Sequence, residues 1–88
     1  MTYRVIFTKN ALRAIPKLKS AKIDGKAKEL IEIIKANPYQ NPPPFENLLG
    51  QLSGNISRRI NYKHHLVYKV YEEEGIIKVL SMWSHYEF

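Results

Sequence analysis

Acid–base chemistry has few candidates in this chain. Asp24, Glu29 and Glu32 fall within a helical pattern, Glu72, Glu73 and Glu74 form an acidic turn, and Glu87 lies at the end, so Glu46 alone stands apart. The histidines are His64, His65 and His85, and the adjacent arginines Arg58 and Arg59 lie just before the first two. His64 and His65 are neighbours in a strand-like segment, where successive side chains point to opposite faces, so they cannot chelate one ion as a pair. There is no His-x-His or paired-carboxylate spacing, no cysteine, no glycine-rich phosphate loop and no Gly-x-Ser-x-Gly elbow. Neither a metal nor a cofactor is therefore expected. A carboxylate, one or two histidines and paired arginines fit metal-independent cleavage of RNA. A base takes the 2′-hydroxyl proton, an acid protonates the departing 5′ oxygen, and a cation stabilises charge on the phosphorus oxygens. RNA carries its own nucleophile, so the protein need supply none. The same residues also read as a loop acid, a solvated edge charge and a chain-end histidine, and the inventory alone does not choose.

Positioning such groups requires a rigid frame, and residues 52–71 supply the strongest pattern for one. Ser53-Gly54 is a turn signal, and Asn55-Ile-Ser-Arg-Arg-Ile60 alternates isoleucine with polar residues. After a polar break at Asn61-Tyr62-Lys63, His64 to Tyr71 is rich in Leu, Val and Tyr. Two antiparallel strands with a loop at 61–63 place Arg59 opposite His65 and Ser57 opposite Val67. Opposed residues share a face, so Arg59 and His65 project together. Ile56, Ile60, Leu66, Tyr68 and Val70 then turn the other way, towards a core.

Tyr3 to Phe7 reads as a first strand, with Thr8 or Asn10 as the N-cap of a following helix. Ala11, Leu12, Ile15 and Leu18 give that helix an apolar face, which Pro16 should kink or divide. Ile23, Ala27, Leu30, Ile31 and Ile34 form the stripe of a second helix, paired with the first around residues 19–22. Asn37-Pro38 ends it. Three consecutive prolines, Pro42 to Pro44, favour an extended polyproline II path that carries Phe45 and Glu46 to the side of the sheet. Leu48, Leu49 and Leu52 supply apolar anchors. Glu72 to Gly75 is a turn, and Ile76 to Trp83 is the last strand. The fold class expected is α+β, one domain over residues 1–88: a strand, a two-helix hairpin, then an antiparallel meander packed against the helices.

The formal charge is +6, and residues 1–35 carry nine basic against three acidic side chains. Such a surface suits a polyanion, most often nucleic acid, or is simply the solvated face of lysine-rich helices. No apolar run approaches the roughly 20 residues of a membrane span, and no signal-peptide pattern opens the chain, so a soluble cytoplasmic protein without a membrane partner is expected.

Leu-Ser-Gly-x-x-Ser-Arg-Arg-Ile-Asn at 52–61, His-x-Leu-Val-Tyr at 64–68 and His85-Tyr86 together resemble the Txe/YoeB group of toxins in the RelE superfamily. The likeness is strong over residues 46–71 and resumes at the end; over residues 1–36 it is a shared strand–helix–helix pattern. It implies a ribosome-dependent endoribonuclease that cuts mRNA in the A site and is held inactive by a cognate antitoxin. It further implies Glu46 as general base, His85 as general acid, Tyr86 beside the scissile phosphate or stacked on a base, and Arg59 neutralising phosphate. His65, Arg58 and Lys63 are expected to bind substrate. The partners implied are a small acidic antitoxin of the Phd/YefM kind, the 70S ribosome and its mRNA, with the toxin acting as a monomer or a homodimer. Two positions depart from the pattern: His65 stands where arginine is usual, and Leu49 near where lysine is usual. Both remove a permanent charge, and imidazole is only partly protonated near neutrality. The tail also runs past His-Tyr by Glu87 and Phe88. Two further readings belong to other classes: a toxin of the same fold that acts by binding DNA gyrase, and a basic RNA-binding module.

Overall fold

A computed structural model describes residues 2–83, apart from the side chain of Leu52. Strand β1 (Arg4–Phe7) leads into helices α1 (Lys9–Ser20) and α2 (Asp24–Ala36); strands β2 (Glu46–Asn47), β3 (Asn55–Arg59), β4 (His65–Tyr71) and β5 (Ile76–Ser81) follow. Thr8 is the N-cap of α1: its Oγ1 accepts from the Ala11 amide at 3.1 Å and donates to the Leu80 carbonyl at 3.1 Å. Helix α1 runs through Pro16 without dividing. The carbonyl that Pro16 cannot serve belongs to Leu12, on the exposed side of the helix, where water can take over. The turn into α2 uses Lys22 at a φ of 61°, with the Ile23 amide donating back to the Leu18 carbonyl. That is a Schellman closure with lysine where glycine is usual.

The sheet has five strands in the order β1-β5-β4-β3-β2. The meander β2-β3-β4-β5 is antiparallel as expected, but β1 joins β5 in parallel, so the sheet is mixed. The long crossover through both helices lets β1 cover the edge that β5 would otherwise expose. Between β4 and β5 the register shifts at Val67/Tyr68, leaving Leu80 as the extra residue of a bulge. Its carbonyl is not wasted: Thr8 Oγ1 and Asn10 Nδ2 both donate to it.

Both helices pack on one face of the sheet. Ala11, Ala14 and Leu18 of α1 and Ala27, Leu30 and Ile34 of α2 form one core with Ile56, Ile60, Leu66, Tyr68, Ile77 and Val79. The α2 stripe is the one its periodicity indicates, whereas Leu12 of α1 stays half in solvent and Ala14 takes the buried place. Leu48 is buried, but Leu49 is 83% exposed and anchors nothing. The proline run departs from polyproline II, for Asn41–Pro42 and Pro42–Pro43 are cis and residues 41–43 bend.

Candidate active site

The face of the sheet away from the helices carries the polar groups. Glu46 of β2 pairs with Ser57 of β3, and Ser57 with Val67 of β4, so Glu46 heads a row that crosses three strands. Two residues further along β3, Arg59 pairs with His65 of β4. Side chains two apart on a strand share a face, which puts Glu46, Ser57, Arg59 and His65 on one surface. Neighbouring strands lie about 5 Å apart, so Glu46 and Arg59 are diagonal neighbours with Cα atoms about 8 Å apart. Pro44, Phe45, Glu46, Ser57, Arg59 and His65 line a concavity of about 230 Å³ at this point. Glu46 and Arg59 are exposed, His65 is half-buried and Ser57 is buried.

This arrangement follows from short-range rules. The loop between β3 and β4 is closed by Asn61, whose Oδ1 accepts from the amides of Lys63 and His64 at 2.9 and 2.7 Å, while the Ile60 amide donates to the His64 carbonyl at 2.8 Å. The asparagine side chain thus mimics a backbone turn and fixes the register that opposes Arg59 to His65. Lys63 is exposed at the tip of this loop and is not among the residues lining the concavity.

Arg58 does not join the site. Its alternation with Arg59 turns it to the core face, where it is 1% exposed. Its Nε donates to Tyr68 Oη at 3.0 Å, Nη1 to the Pro43 carbonyl at 2.6 Å, and Nη2 to the carbonyls of Pro38 and Gln40 at 3.1 and 2.8 Å. The guanidinium also lies 4.9 Å from the centre of the Phe45 ring. An expected contact for substrate phosphate is therefore a buried cation held by neutral acceptors. The parity that places Ile56 and Ile60 in the core already assigns Arg58 to the same side.

His64 also faces away from the concavity. Its ring stacks on Trp83 at 3.9 Å and 21°, and its Nδ1 lies 2.7 Å from the Trp83 carbonyl. A carbonyl only accepts, so Nδ1 carries the proton. Sequence reasoning saw His64 only as His65's neighbour; the aromatic at Trp83 was the available signal. His85 and Tyr86 lie outside the described residues. Among the described residues, no group of three or more His, Asp or Glu is placed to hold a metal ion, and no helix is long and apolar enough to cross a membrane.

Helices on one side of a mixed sheet and a charged cleft on the other make up a RelE-like α+β fold. A model of the YoeB-like toxin of bacterial type II toxin–antitoxin systems matches residues 14–86, and the chain belongs to that family. A YoeB/ParE toxin from Agrobacterium tumefaciens has a similar structure, with a TM-score of 0.85 at 26% identity over 94% of this chain and 99% of that one. A YoeB–YefM complex from Staphylococcus aureus gives 0.80 at 30% identity, over 98% and 100%. A YoeB dimer from the same organism gives 0.79 at 30% identity, over 98% and 100%. A comparison with curated protein sequences gives no match.

Proposed function

We propose that this toxin is a ribosome-dependent endoribonuclease that cuts mRNA in the A site without a metal. The observation that carries the reading is the sharing of one concavity by Glu46, Arg59 and His65. Glu46 takes the proton from the 2′-hydroxyl. The freed oxygen attacks phosphorus, and the bond to the 5′ oxygen breaks. His85 delivers a proton to that leaving oxygen, so the products are a 2′,3′-cyclic phosphate and a 5′-hydroxyl end. Arg59 neutralises the non-bridging oxygens as charge builds on them, and His65 adds a second, titratable donor. Tyr86 sits beside the phosphate or stacks on a base, and Lys63, at the loop tip, meets the strand further out. A carboxylate and cations on a sheet supply the chemistry; the ribosome supplies the ordering of the substrate.

An acidic antitoxin of the YefM kind is the proposed inhibitor, bound through the basic surface and ordered as it binds. YefM bound to the staphylococcal YoeB supports that partner, and the staphylococcal YoeB dimer supports a homodimer. Action on ribosomes places the protein in the cytoplasm.

The test compares naked mRNA with the same mRNA programmed into 70S ribosomes, read by primer extension. Cleavage confined to the ribosome-bound message is expected. Equal cleavage of naked RNA, or loss of activity on chelation while ribosomes remain intact, contradicts the reading. Growth arrest with DNA damage and intact mRNA would point instead to gyrase.

A further inference from the structure

The loop that delivers Glu46 to the site has little structure of its own. Four of its residues, Pro38 and Pro42 to Pro44, are prolines without an amide proton, and its internal bonds sit near its start. There the Tyr39 amide donates to Asn37 Oδ1, the Gln40 amide to the Asn37 carbonyl, and Gln40 Nε2 to the Pro42 carbonyl. The carbonyls of Pro38, Gln40 and Pro43 instead turn inwards and meet on one guanidinium, that of Arg58. Tyr68 closes the set, accepting from Arg58 Nε and donating to the Pro38 carbonyl at 2.7 Å. Phe45, the residue before Glu46, lies against the same guanidinium. Successive side chains of an extended chain point opposite ways, so holding Phe45 against Arg58 turns Glu46 towards the cleft.

We infer that Arg58 is a positioning residue: from beneath the sheet it fixes residues 38–45 and so sets where the Glu46 carboxylate stands. This rests on the reading of Glu46 as the general base. The planar fork of arginine is needed because its donors diverge to three carbonyls and a phenol while its Cζ lies over the Phe45 ring. An ammonium is a single point of charge and cannot serve all of them.

Arg58→Ala would leave the Gln40 and Pro43 carbonyls without their donor and the Pro38 carbonyl with Tyr68 alone, and is expected to unfold the loop at least, so Arg58→Lys is the informative variant. Two readouts are taken on the full chain: single-turnover cleavage on programmed ribosomes, and hydrogen exchange along the backbone. A carboxylate displaced by about 1 Å loses up to about a hundredfold in rate. The expected result is a cleavage rate lower by about tenfold to a hundredfold, with half-saturation by ribosomes changed less than about threefold. Exchange should rise at residues 40–47 while residues 66–79 stay protected. An unchanged rate with unchanged loop exchange overturns the inference. So does equal loss of protection in the loop and in residues 66–79, which would mean a weaker fold and no positioning. Parent and Glu46→Gln proteins run alongside. If the parent leaves ribosomal mRNA uncut, or Glu46→Gln cuts as fast as the parent, the base assignment fails, and loop exchange alone judges whether Arg58 holds residues 38–45.

Discussion

Replacing Tyr68 by phenylalanine removes one oxygen from the interior and leaves the ring volume, so no cavity complicates the result. That oxygen accepts from Arg58 Nε at 3.0 Å and donates to the Pro38 carbonyl at 2.7 Å. The two partners fare differently when it is gone. The Pro38 carbonyl keeps the bond from Arg58 Nη2 at 3.1 Å, so its loss is partial. Arg58 Nε–H is left buried and charged with no acceptor in reach among those it uses now. A hydrogen bond to a charged group is worth about 1.5–3 kcal/mol and a neutral one about 1 kcal/mol, which gives a net loss of about 2–3 kcal/mol. For a domain of this size that lowers Tm by roughly 10–20 °C. Burial raises the Tyr68 pKa against the opposing pull of Arg58, so the phenol keeps its proton and the effect should hold across neutral pH. Urea unfolding followed by far-ultraviolet circular dichroism measures it, with Tyr62→Phe as the control because Tyr62 is 84% exposed. The control should change stability by less than about 0.5 kcal/mol. A Tyr68→Phe loss no larger than the control's would refute the view that Arg58 and Tyr68 act as a tie.

Other consequences concern pH and the two hairpin histidines. Desolvation, then the hydrogen bond and charge of Glu72, push the Tyr39 phenol up to about 12, and Tyr3, bonded to the same carboxylate, is raised too. An unfolded tyrosine ionises near 10, so between about pH 10 and 12 the unfolded chain releases a proton that the fold retains, and stability drains away as pH rises. Melting curves over that range should fall more steeply for the parent than for Tyr39→Phe; parallel curves would count against the Glu72 cluster. His64→Ala removes the stack on Trp83 and a buried hydrogen bond, costing about 1–3 kcal/mol in urea unfolding and changing Trp83 fluorescence. His65→Arg replaces a titratable donor by a permanent one. Single-turnover cleavage between about pH 6 and 9 should be faster and lose its alkaline fall. An identical profile would remove His65 from the phosphate.

The hairpin that faces Arg59 with His65 was legible because two local rules agree there. Alternation fixes which side each residue takes, and a three-residue loop fixes the register. The stripe of α2 was legible for the same reason, a period that depends on no distant partner. Three features were not. The parallel pairing of β1 with β5 joins residues some 70 apart, and nothing in Arg4–Phe7 names its partner. The two-residue strand at Glu46 is too short to carry a period, so the carboxylate was expected beside the sheet and in fact belongs to it. Arg58 looked like part of a basic pair because type was weighed above parity. Its burial becomes intelligible only once the proline loop offers it three carbonyls, and that loop has no period to read.

The central claim is that Glu46 starts an attack by the message's own 2′-hydroxyl, and the ends of the fragments test it most directly. mRNA cut on programmed ribosomes should carry a 2′,3′-cyclic phosphate on one side and a 5′-hydroxyl on the other. A message with 2′-deoxy sugar at the cut position should stay whole. Glu46→Gln should cut the normal message at least about a hundredfold more slowly while still binding ribosomes. Fragments with 5′-phosphate ends, or cleavage of the deoxy-substituted message, would contradict the account.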